Sequence, residues 1–453
     1  MDLGNSLYSG DTIHAAEGVY NEGVMTYNNG TIGTRVVIPD GVTLLADGAR
    51  ENTIIEGEAA TGGGDDIGNG PGAVRCVALS NYLSVLKGFT LRNGHTLSGN
   101  YTTADYVGGG VYTTGANGSV GPQVIDCVIT NCCANRGGGG YNRLDYVNCI
   151  FVCNRATTAA GAMYGGAAFG CVFTRNRCPA SCIQASYNVV NCTLFDNYSN
   201  ISDDTDETIT YDITIPTSGT AIYNTVAKGP CKGNSSFYFY ASNCVFNATY
   251  DVSAYKNKNF YDGATRVVDE SLLAFSPWGA PLSRNHPVVD KAETSFLSRF
   301  VRMDYEKDAL EGQRIYNGDL DIGAVEYDWR GDYAQTLAGG WASVGAASSD
   351  VVQSASGDSV TVGAGELDLS LMNGTGLNIG YSIPVEVIGA GTLTVTRNGE
   401  TFAALTAADG AQTLSFKNRL SEDSLVFAYE GADSGALIGK FTVSVPRFTI
   451  TFR

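Results

Sequence analysis

Cys127-Val-Ile-Thr-Asn-Cys132, Cys149-Ile-Phe-Val-Cys-Asn154, Cys171-Val-Phe-Thr-Arg-Asn176 and Cys192-Thr-Leu-Phe-Asp-Asn197 align on their first cysteine at spacings of 22, 22 and 21 residues. A fixed period of this kind marks one structural unit per turn of a solenoid. It is too short for paired-helix repeats and carries no leucine-rich consensus. Alternating apolar residues ended by Asn and Gly fit short strands and tight turns. The spacing predicts an all-β chain whose main body is a right-handed parallel β-helix.

Coils stacked about 4.8 Å apart put residues of one repeat position above each other. Cys127, Cys149, Cys171, Cys192 and, after an insertion, Cys244 then form one file. Two residues on, Ile129, Phe151, Phe173, Leu194 and Phe246 form a second file on the same inward face. Burying each large side chain stabilises by about 1.5–3 kcal/mol, and a buried thiol packs as a small hydrophobe. The cysteine file therefore reads as free thiols. Cys132, Cys133, Cys153, Cys178, Cys182 and Cys231 fall outside it, and pairing among them stays open.

Asn154, Asn176 and Asn197 follow the file by five residues, and Asn93 in Gly88-Phe-Thr-Leu-Arg-Asn93 reads in the same register. Asn there is expected both to take a left-handed bend and to bond the next coil, at about 1 kcal/mol per hydrogen bond. The runs Gly108–Gly110, Gly137–Gly140 and Gly165–Gly166 read as turn glycines rather than phosphate cradles, because no helix pattern follows them.

Lys+Arg 28 against Asp+Glu 46 gives a net charge of −18. That balance opposes phosphate backbones and anionic lipid surfaces, so no nucleic-acid partner is expected, and it suits neutral sugars or cations as well as plain solubility. No apolar run is long enough for a membrane span, and the N-terminus lacks the basic-then-apolar layout of a signal peptide. Gly10-Asp-Thr-Ile13 already reads as the interior of a coil, so a leader is expected to have been removed and an extracellular or cell-surface location is inferred.

Gly109-Gly110-Val111-Tyr112, Gly165-Gly166-Ala167-Ala168, Phe151-Val-Cys-Asn154 and Phe173-Thr-Arg-Asn176 resemble the repeats of bacterial polymorphic outer-membrane and autotransporter passenger proteins. Gly10-Asp-Thr-Ile13, Glu17-Gly-Val-Tyr20, Ile38-Pro-Asp-Gly-Val-Thr43 and Asn52-Thr-Ile-Ile55 are similar to the opening coils of pectate-lyase-like β-helices. Asn285-His-Pro-Val-Val-Asp290, Gly312-Gln-Arg314 and Asp319-Leu-Asp-Ile-Gly-Ala-Val-Glu-Tyr327 resemble the closing segment of secreted bacterial choice-of-anchor proteins. The last resemblance implies that Asp321 and Arg314 are partners in a terminal coil. Together these likenesses span most of residues 1–330.

The expected division is a β-helix over 1–330, a Gly/Ala/Ser-rich linker over 331–349 and an Ig-like β-sandwich over 350–453. Alternating strands such as Ser359–Val362, Thr392–Val395, Thr413–Phe416, Ser424–Phe427 and Lys440–Ser444, with Asn398-Gly399 as a hairpin turn, support the sandwich.

Insertions in a solenoid emerge as loops, where function concentrates. Residues 58–73 carry Asp65 and Asp66, residues 95–107 carry His95, Tyr101, Asp105 and Tyr106, and a third insertion begins at Asp203-Asp204. If the first two flank one groove, His95, Tyr101, Asp105 and Tyr106 are the candidate ligand-binding residues. Asp65, Asp66 and Asp105 are candidate oxygen ligands for Ca²⁺. A lyase needs a Lys or Arg base beside such a cation, which makes Asp66, Lys87 and Arg92 the catalytic candidates. The acidic pairs lack the His-Gly and Arg-Ile-Lys elements of polygalacturonase-like hydrolases. The reading that results is a secreted or cell-surface adhesin-type protein that binds extracellular polysaccharide or surface glycan without assigned catalysis. A polysaccharide lyase or glycoside hydrolase working in a groove, and a purely structural stalk, are the alternatives.

Overall fold

A computed structural model describes residues 8–27, 30–80, 83–99, 102–114, 121–185, 187–201, 211–215, 221–233, 240–247, 260–261, 265–281, 286–293, 307–311, 314, 320–326, 351–353, 359–362, 365–372, 379–418, 422–431, 435–439 and 442–444. The chain divides into two compact units, Met1–Ile315 with Asp319–Tyr327, and Tyr316–Gly318 with Asp328–Arg453. The 331–349 linker, Tyr101 and most of the third insertion lie outside the described residues.

The first unit is a parallel β-helix with three walls. The first sheet has ten strands, from Thr12–Ala15 to Phe260–Tyr261, and the third also has ten, from Gly18–Tyr20 to Arg266–Val268. The second sheet has nine, running from Met25–Thr26, its one antiparallel member, to Cys231–Gly233. A fourth, shorter strip pairs Cys133–Arg136 with Arg155–Ala159 between the third and second walls. Each strand pairs in register with its counterpart one coil away, so a repeat position becomes a vertical file.

The predicted files are present. Ile129 pairs with Phe151, Phe151 with Phe173 and Phe173 with Leu194. The two phenylalanine rings stack 4.8 Å apart inside the cylinder. All twelve cysteines are free thiols, the off-file ones included. The gap before Cys244 holds a further coil, in which Thr225 stands at the cysteine position and Ala227 at the aromatic one.

The cysteine file does more than fill space. Cys149 Sγ donates to Val124 O of the previous coil and to Val147 O two residues back, at 3.3 and 3.4 Å. Cys171, Cys192 and Cys244 repeat this pair of bonds, and Thr225 Oγ1 makes it to Val189 O and Tyr223 O. From Cys127 to Cys244 the position holds a small side chain with one donor, either a thiol or a hydroxyl, whereas the coil before Cys127 places the buried Phe89 there. Burial pushes the Cys127, Cys149 and Cys171 thiols well above the ordinary range, so they are held protonated as donors.

The expected double role of Asn is divided between adjacent positions. Asn93 is one residue out of register with Asn154: it aligns with Asn131, Cys153, Arg175 and Asp196, all left-handed at φ 51° to 59°. The next residue carries the inter-coil ladder. Asn154 Nδ2 donates to Asn176 Oδ1, and Asn176 Nδ2 to Asn197 Oδ1, at 3.0 and 3.1 Å. Asn197 Nδ2 donates at 2.9 Å to Asp212 Oδ1, which ends the ladder. Asp212 is fully buried, and burial pushes its carboxyl up to about 7 despite that donor and the Gly229 amide. A second left-handed corner precedes this file at Gly88, Asp126, Asn148, Gly170, Asn191, Asn224 and Asn243, ahead of Phe89, Thr225 and the five cysteines.

The closing segment corrects the expected terminal coil. Residues 286–326, where described, lie along the outside of the walls, gripped by that second corner file. Asn148 Nδ2 donates to Lys307 O, Asn191 Nδ2 to Asp321 O, Asn224 Nδ2 to Glu293 O and Asn243 Nδ2 to Lys291 O. Leu320 packs on Val147, Phe169 and Val190, and Ala324 and Val325 pack on Ile150, Val172 and Phe195. Arg314 and Asp321 are both buried here but hold different partners. Arg314 reaches Asn148 Oδ1 at 2.9 Å, occupying the space that a side chain at Gly170 would need, whereas Asp321 accepts from Asp290 N at 2.7 Å.

The second unit is an antiparallel β-sandwich. One sheet orders Val351–Gln353, Ser359–Val362, Ala436–Gly439, Ile379–Val387 and Gln412–Asn418, with Thr442–Ser444 also paired to Ile379–Val387. The other orders Gly365–Met372, Glu422–Glu430, Thr392–Arg397 and Glu400–Thr406. Val362, Ile383, Val385, Leu393, Val395, Phe427 and Ile438 share its core. Asn398 and Gly399 take φ 52° and 85°, the left-handed pair the predicted hairpin needs.

Two outcomes follow. Cys149→Thr keeps the donor and Cys149→Val, of the same shape, removes it. In urea denaturation the Thr variant is expected to be the more stable by about 1 kcal/mol. Burial raises Asp321 to about 7 from an ordinary carboxylate value, so the folded state binds the extra proton and stability falls as pH rises from about 4 to about 7. Asp321→Asn keeps the acceptor for Asp290 N without the charge. Its stability relative to wild type should therefore grow between pH 5 and pH 7.5, and a constant difference would contradict this assignment.

Candidate functional site

The first two insertions pack against each other. Gly70 N donates to Thr96 O at 2.9 Å, and Asn69 Oδ1 accepts from Thr96 N at 3.2 Å. His95 lies buried beneath the first loop, its ring against Gly68, with Nδ1 2.9 Å from Asn93 O. Burial lowers its pKa, with the Asn93 carbonyl and the Asp65 charge acting in opposition, so the ring is held neutral.

The carboxylates turn inward upon their own loops. Asp65 accepts from the Ile67 and Asn69 amides at 3.2 and 2.8 Å and from Asn69 Nδ2 at 3.2 Å. Asp105 accepts from Thr31 N, Thr31 Oγ1 and Ile32 N at 2.8 to 3.0 Å, tying the second insertion to the second wall. Asp66 is exposed. The expected calcium trio of Asp65, Asp66 and Asp105 does not assemble. Among the described residues no three His, Cys, Asp or Glu side chains gather as a ligand set, because the first and last carboxylates already satisfy backbone donors.

The expected bases are also engaged, on separate walls. Lys87, on the first-sheet strand Val85–Lys87, pairs with Asp126 at 3.4 Å. Arg92, on the third-sheet strand Thr90–Arg92, makes a two-pronged contact with Glu56 at 2.9 and 3.1 Å. Its guanidinium holds the Glu56 carboxyl below the ordinary range. The structure does not join Lys87 to Arg92 or to the two loops in one groove.

What sequence reasoning missed is a file of tyrosines on the outer face of the second wall. Tyr112 pairs with Tyr141, and Tyr141 with Tyr164, on successive coils. The residues before Tyr112 and Tyr164, Val111 and Met163, point into the core, so the tyrosines point out. Their rings stack at centroid distances of 6.3 and 4.9 Å, within 15° of parallel. Stacked rings cover one another's faces, so the file presents ring edges and phenol hydroxyls. Tyr27 meets Tyr112 edge-on at 6.1 Å, and the predicted Tyr106 joins the same apolar cluster. Desolvation, with Tyr164 adding to it, raises the Tyr141 phenol, so it stays a hydrogen-bond donor.

Two arginines bind the file to its surroundings. Arg75 is fully buried, stands 4.7 Å over the Tyr112 ring and donates to Ala104 O, Val107 O and Gly108 O. Burial lowers its pKa to about 10, which leaves it charged at neutral pH. Arg136 lies over Tyr164 at 5.6 Å. The register Tyr112–Tyr141–Tyr164 continues into Gln184 and Thr214. The signal was present in the sequence as Gly110-Val-Tyr112, Gly140-Tyr141 and Met163-Tyr164, but spacings of 29 and 23 residues conceal the alignment.

The fold and this outer face define a parallel β-helix solenoid with an aromatic file on its second wall, buried at Tyr112 and half-buried at Tyr141 and Tyr164. No family model matches the chain, and no curated protein matches it. Among solved structures, the chain matches the enzymatically active domain of bacteriophage CBA120 tailspike protein 4 at 9% identity and a TM-score of 0.19, over 90% of this chain and 55% of that one. The chain thus spans about half the length of that structure.

Asp105→Ala should release the second insertion from the wall without unfolding the coils. Amide exchange at Thr31 and Ile32 is expected to speed up at least about tenfold, with the interior strands unchanged; unchanged exchange at both amides would refute the tie.

Proposed function

We propose that this chain is a secreted or cell-surface β-helix protein of adhesin type that recognises extracellular carbohydrate along the second wall. The observation that carries the reading is the tyrosine file. Tyr112, Tyr141 and Tyr164 stand on consecutive coils, and each ends in a hydroxyl that both donates and accepts. A polymer lying along the axis would meet the half-buried Tyr141 and Tyr164 on consecutive coils, with the buried Tyr112 backing the file. Tyrosine suits such contact because its rigid ring brings a polar tip at low conformational cost.

The side chains a lyase or hydrolase would require are committed elsewhere: Lys87 to Asp126, Arg92 to Glu56, Asp65 and Asp105 to loop amides. These engagements favour binding over turnover. His95, Asp105 and Tyr106 belong to this reading as the loop end of the file, with Asp105 in a positioning role through Thr31 and Ile32.

A glycan array probed with the purified chain tests the proposal. Retention on a defined set of polysaccharides is expected, reduced at least about tenfold by Tyr141→Ala with Tyr164→Ala, while melting temperature shifts little. Binding unaffected by the double variant, or release of unsaturated or reducing ends from the retained glycan, would overturn it.

A further inference from the structure

The register of the second wall carries the tyrosine file past its aromatic members. Tyr164 pairs with Gln184, and Gln184 with Thr214, on the next two coils. Ile183 and Ile213, the residues before them, lie in the core, so both side chains point outward as the tyrosines do. Tyr141, Tyr164, Gln184 and Thr214 are all half-buried. Successive coils therefore each present one polar tip, about 4.8 Å apart at the backbone. Tyr112, buried against Ala104 and Tyr106 of the second insertion, closes the row at one end.

What these tips share is chemical. Among the described side chains of the row none is charged, and each both donates and accepts: two phenols, an amide and a hydroxyl. Tyr164 Oη accepts from Arg136 Nη1 at 3.4 Å, which leaves its own hydrogen to donate outward. A ligand matched to the row offers uncharged donor and acceptor groups at an interval of one coil. Sugars joined through equatorial oxygens form an extended ribbon that advances by close to one coil per residue. Axial linkages wind the chain into a helix, which leaves a straight row after a sugar or two. Alternate sugars of the ribbon are turned over, so the wall meets a different edge at each coil. Tips that serve either role accept both edges, whereas a carboxylate or an ammonium group would accept one.

We infer that the carbohydrate recognised on this wall is an uncharged, equatorially linked ribbon of the β-1,4 kind, lying parallel to the solenoid axis with one sugar to each of Tyr141, Tyr164, Gln184 and Thr214. The inference rests on the carbohydrate reading above and adds Gln184 and Thr214 as the residues that set the length and linkage recognised.

Calorimetric titration of the full chain tests it, with β-1,4-linked cello-, xylo-, manno- and chito-oligosaccharides from dimer to hexamer and malto-oligosaccharides of the same lengths as the axially linked control. At least one β-linked series is expected to gain affinity with each added sugar up to the tetramer and to level off beyond. Its tetramer should bind at least about tenfold tighter than maltotetraose. Gln184→Ala with Thr214→Val should weaken that tetramer at least about fivefold, leave the dimer unchanged and shift the melting temperature little, because both side chains face outward. Equal binding of the two linkages, or a gain that stops at the dimer and ignores the double variant, would sink this inference. Loss of that same binding on Tyr141→Ala with Tyr164→Ala would leave the carbohydrate reading standing. Retention on the glycan array of branched, axially linked or acidic glycans alone would have the same effect, and retention of no glycan would sink both.

Discussion

The β-helix depends on satisfying its backbone where the chain turns between walls. Strands satisfy one another by stacking in register, but a corner leaves carbonyls without a neighbouring strand, and unpaired polar groups inside the cylinder are costly. This chain meets the requirement with side chains that repeat each coil. A thiol or threonine hydroxyl donates to carbonyls of its own and the previous coil, as Cys149 does to Val147 and Val124. An asparagine amide bridges to the next, as Asn154 does to Asn176. Both groups require in-register coils, so a slip of one residue would orphan them all at once. Register is therefore fixed by polar bonds as well as by the aromatic file.

That constraint explains what was legible in the sequence. Cysteine and asparagine at a fixed spacing are the groups the corners need, so the period and the inward files could be read directly. The division of labour at the second corner could not. Asn93 and Asn154 look alike in one dimension, and only the register shows that one bends the chain while the other bonds it. Thr225 was invisible for a related reason, since a hydroxyl replaces a thiol at that rung and a 33-residue step separates it from Cys192.

The candidate site was legible only at its edges. The loops were found because insertions interrupt the period, and they do meet, with His95 beneath Asp65's loop and Tyr106 against the tyrosine cluster. Carboxylates in such loops draw the eye as ligands, yet short Asp side chains close to free amides satisfy the loop first. The tyrosine file escaped because variable loops shift its spacing while the wall keeps its register. Outer-face files in a solenoid emerge once strand pairing is known.

The closing segment shows how the same corners serve a second purpose. Asn148, Asn191, Asn224 and Asn243 take the left-handed turn and leave their amides outward, where they hold the backbone carbonyls of Lys307, Asp321, Glu293 and Lys291. Their spacing along the axis sets where that segment can attach, and its apolar residues then cover outward Val147, Phe169, Ile150 and Val172, which would otherwise face water. Those walls are thereby sealed, and Asp308, Asp321 and Glu326 are buried with Arg314 as the cost of sealing them. The Asn corners that anchor the segment lie between the first and third walls, so its described residues attach away from the second wall and its tyrosine file.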